Sequence, residues 1–181
     1  MKEKENGKIK RRGVTLIEVL FVLGIASVLL GMVMLFLSSA TQKRKTQELL
    51  TEINLLIDAS NTLTSSSNKY TTLSPDVLVK SGLIPTRFIS NGQLVTPFGG
   101  SIDVIPFNYT EGGEDFYLAF NFNGLPRESC EWIGVQDFGG SAQSVTVTNM
   151  RQDAPDGFSP IQVISNCQNG DNNYVNVRIQ H

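Results

Sequence analysis

The sequence predicts an α+β fold in which one long N-terminal helix, membrane-spanning in its first half, packs its second half on an antiparallel sheet. Three observations carry this. From Val14 to Leu37 there are 24 residues with a single charge, Glu18. The helical period then continues through Leu49, Leu50, Ile53, Leu56, Ile57 and Leu63, with Gln47, Glu48, Glu52 and Asp58 between them. That i, i+3, i+4, i+7 spacing makes an apolar stripe. Further on, alternating runs such as Ile102-Asp103-Val104 and Val175-Asn176-Val177 have the period of half-buried strands.

The first element is the helix, expected from about Thr15 to Leu63 and about 70 Å long at the usual rise. About 20 apolar residues cross the hydrocarbon of a bilayer, so 14–37 qualifies as a membrane segment. Residues 1–13 carry a net charge of +4, from Lys2, Lys4, Lys8, Lys10, Arg11 and Arg12 against Glu3 and Glu5, and the other 168 residues carry −6. The basic flank predicts a cytoplasmic N-terminus and a C-terminal body outside. A cleaved secretory signal, with Ser38, Ser39 and Ala40 as its small residues, is disfavoured because the apolar run exceeds the roughly 7–15 residues of such signals. A plain single-pass anchor is the stronger rival. Gly24 and Gly31 within the run read equally as sites of close helix packing and as weak points of the helix.

Thr64–Thr72 is polar and reads as a loop. Ser74-Pro75-Asp76 is a helix start with a cap, a first-turn proline and an acidic charge, and that helix ends near Ser81-Gly82. Gln93–Pro106 reads as a glycine-containing turn feeding a strand. Phe116–Phe122 reads as a central strand, Arg127–Ile133 as a helix bearing Cys130, and Ser144–Asn149 as a strand. Ser159-Pro160 opens a short helix with Ile161, Val163, Ile164 and Cys167. Val175, Val177 and Ile179 mark a final strand, with Asn176 and Arg178 on its other face. The implied organisation is a leader at 1–13, the long helix at 14–65 and a globular head at 66–181.

The two cysteines, Cys130 and Cys167, both fall in the exported part, where an even count favours a disulfide; two buried thiols are the alternative. Several classes of function are disfavoured. The body carries no Lys/Arg stripe that would follow a phosphate backbone, and Gly99-Gly100 lacks the spacing and lysine of a phosphate loop. The only histidine is the terminal His181, so a His-based triad is not expected. No His/Cys/carboxylate cluster has zinc spacing, and Asp103, Glu111, Glu114, Asp115, Asp153, Asp156 and Asp171 read as solvated loop residues. No enzyme, cofactor or metal is expected. Tyr70, Tyr109, Trp132 and Tyr174 read equally as an adhesive patch or as core.

Two features ask for more than an anchor. Gly13 lies between the basic leader and the apolar helix, where processing leaves the whole helix on the mature chain. Glu18 lies inside the apolar run, where a carboxylate is costly unless partnered or hydrated near the interface. Together with the leader and the following helix, the segment Gly13-Val14-Thr15-Leu16-Ile17-Glu18-Val19-Leu20 resembles the cleavage and anchor signature of type IV prepilins and type II secretion pseudopilins. The aliphatic Val14 in place of phenylalanine resembles the b branch: bundle-forming, toxin-coregulated and conjugative thin-pilus major pilins.

The resemblance implies the type IV pilin fold, with a C-terminal region bounded by a Cys130–Cys167 disulfide. It implies cleavage of the Gly13–Val14 bond and methylation of Val14 by a prepilin peptidase/N-methyltransferase. Glu18 then pairs with a neighbouring subunit's N-terminus during assembly. The implied partners are identical pilin subunits, an assembly platform, an assembly ATPase complex, an outer-membrane secretin and a host or cell-surface receptor. The precursor is expected in a bacterial inner membrane and the mature chain in an extracellular pilus serving adhesion, aggregation or conjugative mating. A minor pilin, a pseudopilin and a membrane-anchored binding or sensor domain are the alternative readings.

Overall fold

The computed structural model describes residues 15–67, 69–107, 117–148, 150 and 159–180. Gly13 and Val14 of the expected processing site lie outside these residues. So do Tyr109, Glu111, Glu114, Asp115, Phe116, Asn149, Asp153, Asp156 and His181. The chain divides into two compact units, Met1–Thr41 and Gln42–His181.

Helix α1 runs from Leu16 to Thr64, within a residue of the expected bounds. In the first unit its apolar side chains are exposed, from Leu16 at 79% to Leu37 at 55%. Its most apolar 18-residue window has a mean hydropathy of 2.8 and none of it is buried, so α1 is long and apolar enough to cross a membrane. A helix apolar on every side with no protein around it suits a lipid environment. In the second unit α1 buries Thr46, Leu49, Glu52, Ile53, Leu56, Ile57, Ala59, Ser60 and Thr64. This corrects the expectation for Glu52, which the alternation had placed among the polar residues between core positions. It lies three residues after Leu49 and four before Leu56, and is fully buried with them.

Helix α2, Pro75–Lys80, starts as its sequence predicts: the Ser74 Oγ accepts the Val77 N–H. A 3-10 turn at Thr86–Phe88 leads into a two-residue hairpin, β1 (Ile89–Ser90) with β2 (Gln93–Leu94). Its turn is Asn91-Gly92, with φ of 51° and 77°, the left-handed pair that a two-residue hairpin favours.

The main sheet comprises β3 (Ile102–Phe107), β4 (Tyr117–Leu125), β5 (Ser144–Val147) and β6 (Asn173–Gln180). Its order is β3-β4-β6-β5, antiparallel throughout. Two apolar rungs cross all four strands: Ile102-Phe122-Val175-Val147 and Val104-Phe120-Val177-Val145. All eight side chains are buried and belong to one core with Leu49, Ile53, Leu56 and Ile57 of α1. Because side chains alternate across a strand, Asn176 and Arg178 take the opposite face, as the sequence predicts, and Asn121 of β4 pairs with Asn176 there.

The register shifts between Phe122 and Leu125. At that point a Cβ on Gly100 would fall 1.8 Å from the Asn123 carbonyl oxygen, and Gly124 has a φ of 70°. The backbones approach more closely than any side chain permits, which accounts for glycine on both sides.

Helix α3 (Arg127–Gly134) and helix α4 (Pro160–Asn166) complete the head. Ser159 and Gln162 form a reciprocal capping box on α4. Cys167 caps α4 at its C-terminus rather than lying within it, and Ile161 and Ile164 are exposed while Val163 is buried.

Candidate assembly site and the head domain

Glu18 sits in the first turn of α1, where the helix dipole favours an acidic side chain. The helix opens on the Thr15 carbonyl, which accepts the N–H of Glu18 at 3.0 Å and of Val19 at 3.3 Å. Among the described residues Glu18 has no ion-pair partner. Around it Leu16, Ile17, Leu20 and Phe21 are 60–79% exposed. The site is therefore a lone carboxylate at the start of an apolar rod. Among the described residues it has no charged partner, and an apolar setting makes any partner from another chain count heavily.

The C-terminal region is held by the Cys130–Cys167 disulfide, with a Cα–Cα distance of 6.0 Å. Both cysteines are buried. The contact between α3 and α4 extends beyond the bridge. The Arg127 Nε donates to Glu131 at 2.6 Å and its Nη1 to the Asn169 Oδ1 at 2.7 Å. A Cβ on Gly134 would lie 2.6 Å from Val147 and 2.8 Å from Val163, so α3 is pressed against both β5 and α4. The loop after Cys167 is tied by Asn173, which is 1% exposed. Its amide donates to the carbonyls of Leu125, Gln168 and Gly170, and its Oδ1 accepts the Gln168 N–H at 2.6 Å.

Two groups that pattern reading passed over stand out. Asn173 is one; the polar run around it gave no sign that its amide is buried. Glu52 is the other: both carboxylate oxygens are buried without a hydrogen bond. Burial pushes its pKa up to about 9, and Arg87 lowers it only in part. Its distance from Leu49 and Leu56 was the available signal. Of the aromatic residues, Tyr70 is core, its hydroxyl donating to the Asn61 Oδ1 at 2.9 Å, whereas Trp132 is 39% exposed. Among the described residues no group of three or more His, Cys, Asp or Glu side chains is placed to hold a metal ion.

A long apolar helix continuing into a head of antiparallel sheet, closed by a C-terminal disulfide, defines the type IV pilin fold. The type IV b pilin of Salmonella typhi superposes with a TM-score of 0.63 at 18% identity, over 75% of this chain and 99% of that one. The model of the prokaryotic N-terminal methylation motif matches residues 8–34, and the Bundlin model matches residues 38–180. The chain belongs to the Bundlin family. Its relatives include the major structural subunits of bundle-forming pilus from Escherichia coli O127:H6 and Escherichia coli O111:H-. Each is 28% identical over 149 residues, which cover 81% of this chain and 76% of the relative.

Proposed function

We propose that this pilin is the major structural subunit of a type IVb pilus, made as a membrane-held precursor and polymerised after processing. The observation that carries the reading is the order of the two family matches: a methylation motif over residues 8–34, then a Bundlin head from residue 38. In this reading the leader 1–13 is cytoplasmic and 14–37 spans the inner membrane. A prepilin peptidase/N-methyltransferase cuts the Gly13–Val14 bond and methylates the Val14 amine. Glu18, fifth residue of the mature chain, then receives that amine from a neighbouring copy.

The chemistry supports the pairing. A carboxylate in hydrocarbon is costly alone, and an opposite charge restores much of the loss while fixing register. The α-amine is the cation that cleavage creates. Passage outward requires an assembly platform, an assembly ATPase complex and an outer-membrane secretin, and the finished filament serves adhesion, aggregation or conjugative mating. The test is intact mass and N-terminal fragmentation of filaments sheared from cells. A dominant chain beginning at methylated Val14 is the expected result. The same terminus at trace level makes this a minor pilin, and an uncleaved Met1 confined to membranes overturns the reading.

A further inference from the structure

Within the head unit, α1 and α3 leave a groove of about 270 Å³ lined by Lys43, Thr46, Gln47, Glu128 and Trp132. Its floor is closed: the hydroxyls of Thr46 and Ser129 meet at 2.8 Å in the buried seam beneath it. Its rim is open. Lys43 and Glu128 are both exposed and carry opposite charges into one groove, yet they form no ion pair with each other or with any other described residue. The neighbouring cations are engaged: Arg44 with Glu48 at 3.4 Å, and Lys45 over the Phe98 ring at 5.6 Å. Trp132, the only tryptophan of the chain, lines the same groove as these two charges. Its indole is an apolar body with one N–H, the form that concentrates at bilayer interfaces.

We propose that this groove seats a zwitterionic phospholipid headgroup of the membrane that holds α1, with the lipid phosphate at Lys43, its primary ammonium at Glu128 and its glycerol region on Trp132. Two facts select this occupant. An unpaired cation and an unpaired anion in one slot complement a phosphate and an ammonium joined by a short linker, whereas a purely anionic ligand would meet Glu128. Five residues lie between Leu37 and Lys43, a tether of at most about 20 Å even at full extension. Lys43 is therefore within that reach of the end of the apolar segment however the two units are arranged. The inference rests on the membrane-held precursor proposed above. It would give the head a resting seat on the bilayer, to be vacated when the subunit enters a filament.

The sole tryptophan reports on its own site. The full chain is placed in nanodiscs containing phosphatidylethanolamine, phosphatidylcholine or phosphatidylglycerol, with lipids brominated high on the acyl chains as quenchers. Expected is Trp132 emission that is blue-shifted and quenched, most strongly with phosphatidylethanolamine. Glu128→Gln should erase the preference for the primary ammonium, and Lys43→Gln should weaken quenching in every lipid, since all three carry the phosphate. Inserted protein whose Trp132 emits as in water, with no response to brominated lipid, overturns the proposal. So does protection of Trp132 only at high protein-to-disc ratio, which assigns the groove to a second copy. A chain that fails to enter the discs refutes the membrane-held reading itself, a separate and separately visible failure.

Discussion

The hydroxyls of Thr46 on α1 and Ser129 on α3 meet at 2.8 Å, joining two helices whose residues are 83 positions apart. Thr46 spends its one proton on the Gln42 carbonyl at 3.0 Å, so Ser129 is the donor between them. The two substitutions should therefore differ. Ser129→Ala leaves Thr46 bonded to Gln42 and should cost about 1 kcal/mol. Thr46→Val strands a fully buried Ser129 hydroxyl and should cost about 2 kcal/mol. Denaturant unfolding of the detergent-solubilised chain measures both; equal costs would show that Ser129 finds another acceptor.

The Cys130–Cys167 bridge closes 37 residues of sequence. A loop of that length restricts the unfolded chain by about 4 kcal/mol in the chain-entropy account. Reduction should lower the melting temperature of the head, and the change should register early in the emission of Trp132, two residues from Cys130 on the same helix. A melting curve identical with and without reductant would remove the bridge from the list of what holds the head together.

Glu52 makes the head sensitive to pH in a direction set by its burial. Its carboxyl titrates near 9 in the folded chain against 4.5 when unfolded. Below pH 4.5 both states hold the proton and the group is neutral in the balance. From 4.5 to about 9 only the unfolded state releases it, so stability falls as pH rises, by about 3 kcal/mol on reaching pH 7. Above that window both states are ionised and the loss levels off. Among the described residues the charge that acts on it is Arg87 of the 3-10 turn; Glu48, one helical turn earlier, is paired with Arg44. Glu52→Gln should raise stability at pH 7 and flatten the slope between pH 5 and 9. A variant with the wild-type slope would assign the dependence to other groups.

The close seating of α3 gives a steric prediction. A methyl group at Gly134 would meet Val147 and Val163 side chains at 2.6 and 2.8 Å, and both belong to packed elements. Gly134→Ala should cost about 1–3 kcal/mol through overpacking. Trimming Val163 to alanine in the same chain should recover part of it. A neutral Gly134→Ala variant would mean that α3 shifts freely on β5.

Much of this architecture is legible in the sequence because it rests on periodicity and caps. The stripe from Leu49 to Ile57 fixes the buried face of α1, and Ser74-Pro75 and Ser159-Pro160 fix two helix starts. The valines at 145, 147, 175 and 177 supply half of the two core rungs. Other features escape because they are made by distant partners. The order β3-β4-β6-β5 brings the last strand between two earlier ones, which alternation within a strand does not encode. Gly100 is explained only by the Asn123 carbonyl opposite it. The hairpin at Asn91-Gly92 went unread, because its strands are two residues each and show no period. Glu52 was misplaced because a carboxylate is assigned to solvent by type before its spacing is weighed.

Glu18 gives the prediction most directly tied to assembly. In a single copy it is a carboxylate among exposed apolar side chains with no ion-pair partner among the described residues. Paired across copies with a new α-amine, it would hold two charges whose separation leaves each uncompensated in hydrocarbon, a loss of about 3–5 kcal/mol for a buried pair. Glu18→Ala removes the partner without shortening the helix and raises its apolar character, so membrane insertion and processing at Gly13 should persist. Filament yield should collapse, while mature chain accumulates in the membrane. Glu18→Gln separates charge from shape: it keeps the size and an acceptor oxygen but cannot form the ion pair, and should fail as Glu18→Ala does. The checks are fractionation of mature chain between membrane and sheared filaments, with intact mass on both. Normal filament yield from Glu18→Gln would reduce the interaction to a hydrogen bond, and normal yield from Glu18→Ala would remove Glu18 from assembly altogether.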